Sequence, residues 1–289
     1  MDAQAPRRIP QVIGQAGMER AQATVHVQCM WSRKVRWGVF LPRFFTDYGG
    51  RMIQIVGFDG DDTLWRSQEF YDRAQDDFEA IVGRYVDLAA VGLRAKLLAT
   101  ERANLALFGY GVKGMVLSMV EAAIDLTEGR IEARDIQAVV DMGKDLLAHP
   151  VELLPGIAEA VDQVAAKYRV VLITKGDLFH QERKVAQCGL TAFQRIEIVS
   201  EKDVSTYRRL LQEFEVTADR FAMVGNSLKS DIAPVVELGG WGVYMPYHAT
   251  WEHEVLQGFD RAGKVVEVDG ADGIVEAIER MTTMTTIAG

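Results

Sequence analysis

The chain is poor in cysteine, histidine and long apolar runs, and each shortage removes a class of protein. Cys29 and Cys188 are the only cysteines; two cannot build a disulfide framework, and neither has neighbours at metal-ligand spacing, so the expected compartment is the reducing cytoplasm. The five histidines fall at no ligand-like interval. No apolar run approaches the roughly 20 residues needed to span a bilayer. Internal repeats and low-complexity tracts are also absent. What is present is ordinary for a folded globular chain: 289 residues, 48% hydrophobic and 25% charged.

Charge is distributed unevenly. Residues 1–51 carry eight Lys/Arg against Asp2, Glu19 and Asp47, a net of +5, and the overall −9 therefore leaves −14 on the remainder. So acidic a body disfavours nucleic acid and anionic membrane as partners, while a small anion in a locally positive pocket stays compatible. The first 51 residues keep no steady period and are read as a poorly ordered basic extension. A transit segment or a partner-binding tail fits the composition. The preferred reading places the true start at Met52, directly before the first clean strand.

From Met52 the pattern sharpens. Ile53–Phe58 is a short apolar run that ends in Asp59-Gly60-Asp61-Asp62-Thr63, a buried strand followed by a loop. Residues 67–149 then show helical periodicity, with Phe70, Ala74, Phe78, Ile81 and Val82 on one face, then Leu93, Leu97 and Leu98, then Val116, Val120 and Ile124, then Ile136, Val139, Val140 and Leu147. After Leu154-Pro155-Gly156, strands at 170–174, 196–199, 221–225, 242–245 and 265–268 alternate with helices near 156–167, 179–188, 204–213, 231–238 and 271–281. Alternation of this kind predicts a parallel sheet covered on both faces. The expected fold is α/β: a Rossmann-like core of residues 52–66 and 150–289, interrupted by an all-helical cap at 67–149.

Ligands of such sheets bind beyond the carboxyl ends of the strands. The first strand delivers Asp59 and Asp61 there. The second delivers Thr174 and Lys175, the third Lys202, and the fourth Asn226-Ser227 with Asp231 five residues after Asn226. Singly, each has an innocent explanation as a cap, a turn former or a solvated charge. Together they suit phosphoryl transfer. A carboxylate can attack phosphorus to give an acyl-phosphate, splitting hydrolysis into two displacements. Carboxylate and phosphate repel, so a hard cation is required; Mg²⁺ takes oxygen ligands, which Asp59, Asn226 and Asp231 can provide. A second carboxylate, Asp61, can protonate the leaving alkoxide and later deprotonate water. Thr174 can donate to a phosphate oxygen, the backbone amides around Lys175 can shape the phosphate loop, and Lys202 places fixed positive charge where negative charge develops.

This arrangement resembles the haloacid dehalogenase-like hydrolase superfamily from about Ile53 onward. Asp59-Gly60-Asp61-Asp62-Thr63 matches its D-x-D-x-T motif, Thr174 its strand-ending Thr or Ser, Lys202 its Lys ahead of a helix, and Gly225-Asn226-Ser227 with Asp231 its G-[DN]-S motif with a downstream Asp. The resemblance implies that Asp59 is nucleophile and metal ligand and that the backbone carbonyl of Asp61 is a further ligand. It implies that the Asp61 side chain is the general acid and base, that Thr174 and Lys202 hold the phosphoryl group, and that Asn226 and Asp231 complete the Mg²⁺ shell. A helical insertion between the first two motifs is similar to the family's first class of cap. One departure stands out: Asn226 occupies a position where many members have a metal-binding Asp, so one negative charge is missing.

The expected activity is hydrolysis of a small phosphomonoester, of the nucleotide or sugar phosphate class. Halide displacement from carbon needs no proton donor, so the presence of Asp61 argues against a dehalogenase. A phosphotransferase or mutase, and a phosphonate hydrolase that forms a Schiff base on Lys96, Lys113 or Lys144, are alternatives on the same scaffold. A non-catalytic sensor of phosphorylated ligands is the alternative of another class. His248, His253, Met115, Met119 and Trp65 are read as packing residues.

Overall fold

A computed structural model describes residues 53–249, 254, 256, 258–261 and 263–284. The basic extension, and with it the expectation about its order, lies outside the described residues, as does His253. Six strands, β1 (Ile55–Phe58), β2 (Arg169–Lys175), β3 (Arg195–Val199), β4 (Phe221–Gly225), β5 (Trp241–Tyr244) and β6 (Val265–Glu267), form one parallel sheet in the order β3-β2-β1-β4-β5-β6. Register is fixed by burial on both faces, since a slip of one residue would exchange the two sets of side chains. Val56, Phe58, Val170, Leu172, Ala222, Val224 and Val243 face one apolar layer, and Ile55, Val171, Ile173, Phe221 and Met223 face the other.

Helices α6 (Ile157–Ala165) and α10 (Ile274–Met284) cover the first face through Ile157, Val161, Val164, Ile274 and Ile278. Helices α8 (Val204–Glu213) and α9 (Ala233–Glu237) cover the second through Tyr207, Leu210, Leu211 and Val235. Helix α7 (Leu178–Gln187) follows β2. The order predicted for the strands holds, with ends shifted by one or two residues. The segment read as a helix at 231–238 opens instead with a π turn over Leu228–Ile232, which continues into α9.

Between β1 and β2 the chain forms five helices: α1 (Gln68–Val82), a short α2 (Leu88–Val91), α3 (Leu93–Phe108), α4 (Val112–Leu126) and α5 (Ala133–Ala148). They bury their own core of Phe78, Val82, Leu93, Leu97, Met119, Ala122, Ala123 and Val139. The face predicted for α4 is corrected: Ile124 is exposed, Val116 and Val120 are half-buried, and the buried face runs through Val112, Met119, Ala122 and Ala123. An almost wholly apolar helix gives periodicity little contrast to work with.

The chain enters and leaves this insertion by two adjacent segments that pair with one another. Arg66 N–H donates to Glu152 O at 2.9 Å and Leu154 N–H to Leu64 O at 2.9 Å. Asp62, held at φ 59°, accepts from the backbone amides of Ser67 at 2.8 Å and Gln68 at 3.0 Å. The third carboxylate of the D-x-D-D-T run is thus a cap on the first turn of α1, satisfying amides that no helical carbonyl can reach.

Candidate active site

The loop after β1 lies beside the ends of β2 and β4, at the switch point of the sheet, where the connections to neighbouring strands diverge. Asp59 is buried there. Its Oδ1 takes an ion pair from Lys202, and its Oδ2 accepts from Thr63 Oγ1 at 3.3 Å. Lys202 Nζ also reaches Asp231 Oδ1 at 2.7 Å, so a single buried ammonium bridges two carboxylates. Burial and the nearby charge of Asp231 push the Asp59 carboxyl up to about 7, against the pull of Lys202. Lys202 is raised: burial opposes its charge, and the two carboxylates outweigh that opposition.

Two glycines make room for these groups. A Cβ on Gly225 would sit 2.3 Å from Asp231 Oδ2, and one on Gly60 would lie 2.7 Å from the Trp65 ring and 3.0 Å from Thr174 Oγ1. No larger residue fits at either position. Thr174 is buried, and its hydroxyl has no hydrogen-bond partner. An unpartnered hydroxyl at a strand end, beside a buried carboxylate and an ammonium, is placed to donate to an oxyanion.

Asp61 points into a different set of partners. Trp65 Nε1 donates to its Oδ1 at 2.6 Å, Lys184 Nζ lies 2.6 Å from the same oxygen, and Gln181 Nε2 donates to Oδ2 at 2.8 Å. Burial raises the Asp61 pKa, but Lys184, Gln181 and Trp65 together outweigh it and hold it at about 2. Two carboxylates separated by one glycine are therefore driven in opposite directions by their surroundings.

The remaining sequence-predicted residues fall as follows. Asn226 lines the same cavity; its Oδ1 accepts from Thr63 Oγ1 at 3.3 Å, and its backbone amide donates to that hydroxyl at 3.0 Å. Asp231 has both oxygens engaged, one by Lys202 and the other by Ser227 N–H at 3.0 Å. Lys175 also lines the cavity, but its ammonium pairs with Glu254 at 2.5 Å, donates to Ser230 Oγ at 3.0 Å, and lies 4.2 Å from the Tyr110 ring centre. Burial raises the Glu254 carboxyl, yet Lys175, Ser227 and Ser230 outweigh it and hold it at about 2.

Among the described residues no three His, Cys, Asp or Glu side chains gather as a metal cluster. The donors that do meet at the site are the Asp59 carboxylate and the Asn226 amide oxygen, which share the Thr63 hydroxyl, with Asp231 behind them. All are hard oxygen donors. That set fits a cation such as Mg²⁺, which takes one or two carboxylates and keeps several waters.

Trp65, read as a packing residue, is buried in the core and also donates to Asp61. Gln181, Lys184 and Glu254 are site residues that sequence reasoning missed. A signal existed for two of them. On α7, His180, Gln181 and Lys184 are buried while Leu178 and Phe179 are exposed, Phe179 by 74%. A helix that turns its polar face inward is serving a site. Met115 and Met119, read as packing residues, line the cavity, although Met119 also belongs to the helical core. His248 is exposed and approaches Glu69 at 3.4 Å.

Comparison with known proteins gives the same answer as the geometry. The family model for haloacid dehalogenase-like hydrolases matches residues 53–239. A haloacid dehalogenase-like family hydrolase from Xanthomonas campestris, known from its crystal structure, is 51% identical, the match covering 83% of this chain and 97% of that one with a TM-score of 0.75. A 2-haloacid dehalogenase from Pseudomonas syringae (20% identity, 79% and 99% covered, TM-score 0.52) and a predicted phosphoglycolate phosphatase from Haemophilus somnus (16%, 79% and 99%, 0.52) share the fold. No curated protein matches. With its four motifs gathered at one sheet edge, and with these matches, the chain belongs to the haloacid dehalogenase-like hydrolase family.

Proposed function

We propose that the protein is a Mg²⁺-dependent phosphatase acting on a small phosphomonoester through an aspartyl-phosphate on Asp59. The observation that carries phosphate over halide is Asp61, a second carboxylate in the cavity that is already linked to the proton donors Lys184 and Trp65. Displacement of halide from carbon has no use for such a group.

In this reading Asp59 attacks phosphorus and the ester P–O bond breaks. Lys202 and the orphan hydroxyl of Thr174 hold the phosphoryl oxygens as charge builds on them. Asp59, Asn226 and the main chain of Asp61 would hold Mg²⁺, which when bound would supply the positive charge that lets carboxylate and phosphate approach. Asp231 orients Lys202. The leaving alkoxide takes a proton from the Asp61–Lys184 pair, which holds one exchangeable proton between carboxylate and ammonium. The pair recovers it from the water that opens the acyl-phosphate, so the cycle closes with alcohol and inorganic phosphate as products. The helices of the insertion act as the cap that covers the substrate.

A Schiff-base route is not supported by the lysines of the insertion. Lys113 pairs with Asp177 at 2.9 Å, Lys96 with Asp125 at 2.8 Å and Lys144 with Asp141 at 2.6 Å, and none of the three lines the cavity. The deciding experiment is phosphate release from a panel of phosphomonoesters, with and without Mg²⁺, for the wild type and Asp59→Asn. Magnesium-dependent release that disappears in the variant is expected. Release that survives Asp59→Asn overturns the mechanism.

A further inference from the structure

The cavity over Asp59 has a volume of ≈ 190 Å³ and two walls of different chemistry. The floor is the catalytic loop set described above. The roof comes from α1, α3, α4 and the turn between α3 and α4, and its described lining residues include no Lys, Arg or His. What they offer instead is the carboxylates of Asp72 and Glu101, the amides of Gln75 and Asn104 and the hydroxyl of Tyr71; Asp72 already accepts from Gln68 Nε2 at 2.8 Å, and Glu101 is partnered as well. The basic residues of the floor are already committed. Lys202 is held by Asp59 and Asp231, and Lys175 by Glu254. His180 is kept neutral, its pKa lowered to about 4 first by burial and then by Lys184. Between Ala249 and Glu254 the sequence holds no Lys or Arg; its one titratable base is His253, beside Glu252 and Glu254.

A second observation concerns the buried Asn104. Its Nδ2 donates to Ser118 Oγ at 3.2 Å and to Glu121 Oε2 at 2.7 Å. A carboxylate can only accept, so the nitrogen is fixed on that side and Oδ1 is the free end of the amide. Ser118 spends its own hydrogen on Gly114 O at 2.9 Å. The roof is therefore rich in acceptors: it suits groups that donate hydrogen bonds and is unfavourable to a second anion, because a buried charge without a partner is costly.

We propose that the cavity accepts a phosphomonoester whose organic part bears hydroxyl groups and no second anionic group. This rests on the phosphatase reading above and narrows it. It sets bisphosphates and phosphorylated hydroxy-acids apart from polyol and sugar monophosphates.

The test compares kcat/KM within pairs of equal chain length: sorbitol 6-phosphate against 6-phosphogluconate, and glycerol 3-phosphate against 3-phosphoglycerate. p-Nitrophenyl phosphate serves as the reference ester. A preference of at least tenfold for the alcohol in each pair is expected. Gln75→Lys, which adds a cation to the roof at a half-buried position, is expected to narrow that preference at least fivefold. If p-nitrophenyl phosphate is hydrolysed but the alcohol is no better than the carboxylate, the inference fails and the phosphatase reading stands. It also fails if Gln75→Lys leaves the ratio unmoved. If none of the five esters is hydrolysed, the phosphatase reading falls and takes the inference with it.

Discussion

Replacing Lys202 by Met tests whether the site is held together by one ammonium. The lysine side chain is 2% exposed and its partners Asp231 and Asp59 are 1% and 9% exposed, so the substitution leaves two buried carboxylates facing each other. Methionine keeps most of the stem volume, which makes the loss of charge, not a cavity, the dominant effect. Breaking a buried pair costs about 3–5 kcal/mol. At roughly 2–4 °C per kcal/mol for a domain of this size, Tm should fall by about 6–20 °C at pH 8. The sign of the pH dependence follows from the acids. Burial and Asp231 already push Asp59 up to about 7 against the pull of Lys202, and without the lysine it rises further. A carboxyl with a raised folded-state pKa binds protons more tightly folded than unfolded, so acidification stabilises the variant relative to wild type. The deficit should shrink between pH 8 and pH 5. Mg²⁺ should raise the Tm of both proteins, because a cation at the carboxylates stabilises only the folded form, by about 2.7 kcal/mol at a hundredfold excess over its Kd. Thermal unfolding at the two pH values, with and without Mg²⁺, reads all of this. A fall corresponding to less than about 1 kcal/mol at pH 8, or a deficit that grows on acidification, refutes the reasoning.

Three further outcomes follow from the same geometry. Lys184→Met should lower kcat on alkyl phosphates by about a hundredfold, the lower range for proton transfer, and much less on p-nitrophenyl phosphate, whose phenolate leaves without a proton; equal losses on both count against the proton pair. Apparent Mg²⁺ affinity, measured by calorimetry, should weaken by about tenfold per pH unit below 7, because Asp59 must shed a proton to bind the ion; a flat profile from pH 5 to 7 contradicts the assignment of Asp59 as ligand. Asp62→Ala should cost about 1–2 kcal/mol and speed hydrogen exchange at the Ser67 and Gln68 amides it now caps; unchanged protection there removes its capping role.

Much of this was legible in the sequence, for identifiable reasons. Fully buried parallel strands read as short apolar runs, and Val170–Thr174 and Phe221–Gly225 leave little room for another reading. The chemistry-bearing residues then announce themselves by position, because strand ends deliver side chains to one edge of the sheet. Side chains that reach the site from helices or from distant loops are harder to see. Glu254 lies past β5 in a stretch with no regular period, and only the fold brings it within 2.5 Å of Lys175. Lys175 illustrates the converse. Its place after Thr174 suggests a phosphate ligand, and no local pattern reveals that its charge is already matched by Glu254. Asp62, to which the motif assigns no role, is a helix cap, a role set by the turn at φ 59° and by where α1 begins.

The opposed behaviour of Asp59 and Asp61 carries the chemical argument furthest. A nucleophile must be ionised and an acid must hold a proton, yet in the free protein Asp59 is pushed up to about 7 and Asp61 held at about 2. The polarity is the reverse of what the first step requires. Each ligand corrects one half of it. Positive charge at the oxygens of Asp59 and Asn226 favours the ionised form of Asp59, just as the loss of Lys202 would disfavour it. A phosphate dianion placed between Thr174 and Lys202 raises the cost of a second negative charge at Asp61 and draws proton density toward it from Lys184. On the proposed mechanism, the protonation state that suits the first step is therefore that of the ternary complex.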